Sequence, residues 1–167
     1  LKGAPVRITR SAVATVLAAG LVTSAVAVPQ SAAVPQSAAV SRSDPAVIVT
    51  WNAIASRTIV TENAVPPPIA TLYFSFESLA VYDAVVAIEG RYQPYLKQHR
   101  VRGKASTEAA AATAAYRVLR YYFPASAKNL AADYATSLGH VPNGPAKARG
   151  LKVGEIAAAT LIKARRN

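Results

Sequence analysis

Residues 69–89 read IATLYFSFESLAVYDAVVAIE, and this stretch decides the fold. Only Glu77 and Asp83 interrupt it with charge before Glu89, and apolar residues recur on nearly every face. A helix apolar all round belongs inside a protein core or a membrane. Pro66, Pro67 and Pro68 stop any preceding helix, and Pro68 is preset for a first helical turn. Gly90 stands where a left-handed residue ends a helix. Leu72, Phe76, Leu79, Asp83 and Val86 fall on one face, so Asp83 is expected to point inward.

Working outward, the flanking segments supply the helices that such an element needs. Asp44 and Pro45 open a first helix, whose core stripe is Ile48, Trp51, Ile54, Ala55, Thr58 and Ile59. Ser106 caps a third helix ending at Pro124, with Ala112, Ala115, Tyr116, Leu119, Tyr122 and Phe123 inward. A fourth, about 127–138, presents Ala127, Leu130, Ala131, Tyr134 and Leu138. After the turn signal Asn143-Gly144-Pro145 comes a fifth, with Val153, Ile156, Ala157, Thr160, Leu161 and Ala164. No stretch alternates at period two over strand length. The expected fold is all-α, about five helices around a buried central helix at 69–89, forming half of a larger helical domain.

The first 43 residues read differently. Residues 1–27 resemble a secretory signal: Lys2, Arg7 and Arg10, a small-residue apolar run, then Ala25-Val26-Ala27 as a cleavage pattern. The alternative is an uncleaved membrane anchor. Residues 28–43 hold a tandem VPQSAA repeat too poor in large side chains to fold, a linker. The helical segment is expected over 44–167, and the protein is expected to be secreted or held in the cell envelope. The chain lacks Met, begins at Leu1 and stays in helical rhythm to its last residues, so it reads as part of a longer protein.

The 167 residues carry 19 Lys and Arg against 8 Asp and Glu, a formal charge of +11. Removing the three cations of residues 1–27 leaves +8. This excess suits anionic partners such as envelope polymers. The loop 91–104 gathers Arg91, Lys97, Arg100, Arg102 and Lys104 among Tyr92, Tyr95 and His99, but no nucleic-acid-binding motif accompanies it. Without Cys, thiolate chemistry and disulfides are excluded. His99 and His140 are too far apart in sequence for a helical metal site. Glu77 and Asp83 lie six residues apart, about 120° around a helix, which aims them away from a shared pocket. Asp83 is therefore expected to be a structural acid, with Arg57 as its partner. There is no P-loop, dinucleotide fingerprint or nucleophile elbow.

Three segments together resemble one family: WNAIASRT at 51–58, YDAVVAIEGRYQPY at 82–95, and 105–164 with its Ala-rich helix, YYFP at 121–124 and PNGPA at 142–146. They look like the N-terminal helical half of secreted bacterial vanadium-dependent haloperoxidase-like proteins, of the type 2 phosphatidic acid phosphatase superfamily. The resemblance covers roughly 44–167. It implies an enzyme whose site lies in the other half. There, a lysine seven residues before an Arg-Pro, a Ser-Gly-His and an arginine six residues before a final histidine surround vanadate or phosphate. Lys and Arg neutralise the oxyanion, and a backbone N–H adds a donor. None of those motifs is in this sequence. Ser137-Leu-Gly-His140 has one residue too many for Ser-Gly-His, and Arg-Pro does not occur. No catalytic, cofactor-binding or metal-binding residue is therefore assigned.

The resemblance implies vanadate as cofactor of the full-length parent, none held by this segment, and halide with peroxide, or a phosphate ester, as substrate. It makes the C-terminal half the principal partner, with self-association left open and no nucleic acid. The alternative is a non-catalytic exported basic helical protein that binds anionic envelope polymers.

Overall fold

A computed structural model describes residues 44–97, 101 and 103–166. The expected signal, the linker, His99, Arg100 and Arg102 lie outside them. Among the described residues the architecture is all-helical: α1 (Ala46–Ser56), α2 (Pro67–Glu89), α3 (Thr107–Tyr122), α4 (Ala127–Gly139) and α5 (Pro145–Ala164). A π-helical turn, Arg57–Glu62, prolongs α1, and a 3-10 turn, Pro124–Ser126, leads into α4.

Local chemistry sets the boundaries. The Asp44 carboxylate accepts from the Ala46 N–H (2.9 Å), and the Ser106 hydroxyl accepts from the Ala109 N–H (3.1 Å) at the start of α3. Prolines open α2 and α5, where the missing N–H leaves no bond unmade. Gly90 ends α2 at φ 66°, and its N–H returns to the Val86 carbonyl. Two residues past the π-helical turn, Ala64 stands at φ 47°, a left-handed position that costs an L-residue about 1 kcal/mol. That conformation lets the Val65 N–H reach back to the Ile59 carbonyl (3.1 Å).

The most enclosed helix is α3, not the stretch at 69–89. From Ala109 to Tyr116 every residue of α3 is buried, and α1, α2, α4 and α5 all pack on it. Small side chains make this possible, since alanines at 109–112, 114 and 115 let four neighbours approach one axis. By contrast α2 is buried along one side only, at Ala70, Glu77, Ala80, Val81, Asp83, Ala84, Val86 and Ala87. Leu72, expected inward, is 56% exposed, and Ile69 beside it is 48% exposed. The reason is length. Tyr73 packs on Tyr122 and Phe123 at the end of α3, so in the preceding turn Ala70 stays buried while Ile69 and Leu72 point past that end.

The closest contact is between α3 and α5, and two glycines make it. A Cβ on Gly150 would stand 2.3 Å from the Ser106 carbonyl oxygen, and one on Gly154 would stand 2.4 Å from that of Ala110. The stripe expected on α5 is present as Val153, Ala157 and Leu161, whereas Ile156 and Ala164 face outward. On α4, Leu130 alone is fully buried, and Tyr134 stacks on Tyr116 with centroids 4.3 Å apart. Ala131, expected inward, is exposed, because α4 touches the rest of the bundle along a narrow edge.

Candidate binding cleft beside Glu77

The two acids of α2 meet different surroundings. Asp83 is fully buried, as its place on the helix suggests. Its expected pairing with Arg57 is not made. Its carboxylate instead accepts two backbone N–H groups, Tyr95 to Oδ1 (2.6 Å) and Leu96 to Oδ2 (3.0 Å). One helical position before it, the Tyr82 hydroxyl donates to the Gln93 carbonyl (2.8 Å). With Gly90 turning the chain, these bonds latch residues 91–96 back onto α2. Sequence spacing suggested a cationic partner, but the loop's own backbone satisfies the charge first.

Arg57 looks the other way. Its guanidinium donates to Glu62 (2.9 Å) and to Asp133 on α4 (2.5 Å), tying the π-helical turn to α4. Asp133 above all, with Glu62, raises its pKa further. The Ser126 hydroxyl, the Asn129 amide and Arg57 hold the Glu62 carboxyl below the usual range. Asn63 completes the bracket by donating to Thr58 O (2.8 Å) and Ser126 Oγ (2.9 Å). Both carboxylates are held by the one guanidinium within the bundle, which makes it a structural joint.

Glu77 is the exception. It is 2% exposed, and among the described residues its one polar contact is a long approach of the Ser78 hydroxyl to Oε2 (3.4 Å). Burial, only slightly offset by that hydroxyl, pushes its pKa up to about 7. It borders a cleft of about 310 Å³ between α1 and α2. Val47, Ile48 and Trp51 of α1, Val81 and Val85 of α2 and Ala111 of α3 give it apolar walls. Asn52, Ser78 and Tyr82 are the other polar residues that line it, and none of its lining residues is a lysine or arginine. The Trp51 indole N–H is also buried, without a hydrogen-bond partner. The cleft thus combines an unmatched carboxyl with aromatic and aliphatic walls. Sequence reasoning passed over Glu77 as one of a pair pointing apart. The signal was its isolation, an acid in an apolar helix with no cation three or four residues away.

Much of the positive charge is used internally. Lys147 donates to the carbonyls of Leu138 (2.6 Å) and Val141 (3.0 Å) and to Asn143 Oδ1 (3.0 Å), closing the end of α4. Arg149 donates to the Lys104 carbonyl (2.6 Å), and Arg117 pairs with Glu155 (2.5 Å). Arg165 lies over the rings of Phe76 and Tyr95 and donates to the Tyr95 hydroxyl. A second, open groove of about 480 Å³ lies beside Arg117, Arg120 and Tyr121.

His140 is exposed at the end of α4, and Lys147, which closes the same turn, has its donors committed to neighbouring oxygens. These two residues do not make a vanadate site, and among the described residues no group of three acids or histidines is placed to hold a metal ion. Comparison with protein-family models, with curated proteins and with solved structures finds no match to this chain.

Proposed function

We propose that the bundle is the helical scaffold of an exported vanadium-dependent haloperoxidase-like or acid-phosphatase-like protein, whose reacting groups lie on another segment of that protein. The observation that supports this reading is where the three resembling segments fall. WNAIASRT supplies buried Trp51, Ile54 and Ala55 and the Arg57 joint. YDAVVAIEGRYQPY forms the latch built by Tyr82, Asp83 and Gly90. The Ala-rich stretch is α3. All three are spent on packing and loop closure, as a supporting half requires.

The test is to produce the whole gene product and assay it with vanadate, peroxide and bromide, and separately with a phosphate ester. Vanadate-dependent bromide oxidation or ester hydrolysis supports the reading. A folded product active in neither assay overturns it.

The groove beside Arg120, whose lining also holds the Arg117–Glu155 pair, suggests a second reading, a basic module that binds anionic envelope polymers without turnover. Affinity for such a polymer that falls steeply with salt, and is weakened by Arg120→Ala, would support it.

A further inference from the structure

We propose that the cleft between α1 and α2 binds a small organic cation, an amine on an apolar body, whose positive group is held by the Glu77 carboxylate. This does not depend on the haloperoxidase-like reading.

Three observations converge. First, Glu77 is buried at the edge of an apolar cleft, and among the described residues no cation lies beside its carboxylate. The other acids whose contacts are described here have partners: Glu62 and Asp133 share Arg57, Glu155 meets Arg117, and Asp83 takes two N–H groups. A buried carboxylate without a counter-ion is costly, and a proton or a bound cation relieves it. Second, the walls suit the rest of such a ligand. Trp51 and Tyr82 offer aromatic surface beside Val47, Ile48, Val81 and Val85, and about 310 Å³ admits a single-ring amine. Third, two carboxylates stand near one end of the cleft. One turn before Ile48 stands Asp44, one turn before Ala111 stands Glu108, and the Asp44 N–H donates to Glu108 Oε1 (3.1 Å).

The charged and titratable groups around Glu77 are few. The α1 lining contributes none, with Asp44 just ahead of the helix. From α2 comes Tyr82, whose hydroxyl is committed to Gln93. Ala111 is the lining residue of α3, with Glu108 a turn away. From the end of α5, which also packs on α2, Arg165 lies over the ring of the adjacent Phe76, and among the described residues no second carboxyl or histidine lines the cleft with Glu77. A cation entering the cleft therefore displaces the Glu77 proton, and its affinity is linked to pH.

The experiment is isothermal titration calorimetry of the full chain with 2-phenylethylammonium, and with 2-phenylethanol as the uncharged counterpart. A carboxyl titrating near 7 is about nine-tenths protonated at pH 6. The ammonium ion should then bind about tenfold more tightly at about pH 8 than at pH 6. Buffers of different ionisation enthalpy should report release of roughly 0.9 proton per ligand bound at pH 6. The alcohol should bind more weakly and independently of pH. Glu77→Gln should abolish both the pH dependence and the preference for the amine. Should that variant not fold, proton release by the unaltered chain decides. Equal affinity for amine and alcohol, binding without proton release, or no binding of the amine at millimolar concentration would each overturn the proposal.

Discussion

At Asp83 two backbone N–H groups converge on one buried carboxylate, and the geometry tells what its loss would do. Truncation to alanine leaves the Tyr95 and Leu96 N–H groups with no acceptor in a place water reaches poorly. Losing two charge-assisted bonds in such a site costs about 3 kcal/mol. Urea denaturation of Asp83→Ala should show that loss, and a change within about 0.5 kcal/mol would mean the loop closes without the carboxylate. Glu77 behaves in the opposite sense. Its folded pKa lies above the ordinary carboxyl value, so the folded state holds the extra proton. Stability from this group is greatest below about pH 4.5 and is lost as pH rises towards 7, by about 3 kcal/mol in all. Glu77→Gln carries no such titration. Denaturation at about pH 5 and pH 8 should therefore show a smaller pH effect in the variant and a gain over the parent at pH 8.

At the scale of elements, what was legible in the sequence is what is decided locally. Asp44, Ser106, the prolines of α2 and α5 and Gly90 act on backbone groups within a few residues, and each lies at a boundary as expected. The choice of partner was not legible. Arg57 finds Asp133, brought from far along the chain by packing of α4, while Asp83 is answered by its own loop. The outward turn of α2 was hidden for a related reason. Its apolar composition is uniform, but burial depends on where α3 stops. The α3–α5 contact was overlooked because the pattern was read from large side chains, whereas Gly150 and Gly154, four apart, mark the close face. Gly154→Ala is expected to force the helices apart and destabilise the bundle by about 2 kcal/mol, measured by thermal or urea unfolding. Gly139→Ala, where a Cβ meets nothing within 4 Å, is the control and should change little or raise stability slightly.

For the whole molecule, burial is graded from α3 outward, and local opening should follow that gradient. In native-state hydrogen exchange, amides from Ala109 to Leu119 should open only with global unfolding. Those around Thr71 and Leu72, on the overhanging turn of α2, should exchange through cheaper local motions. Uniform protection along both helices would contradict the gradient. The charge has the same unevenness at this scale. Lys147, Arg149, Arg57, Arg117 and Arg165 are tied into the fold, so formal charge overstates what is free to meet an anionic partner.

The glycine contact also fixes an order of events during biosynthesis. The groove on α3 that receives Gly150 and Gly154 is made by residues 106–114, which are synthesised before α5. Until α5 is made, that small-residue face of α3 has no cover, and the first four helices can gather but not seal. Translation of the last described helix is the step that commits the bundle to a shape.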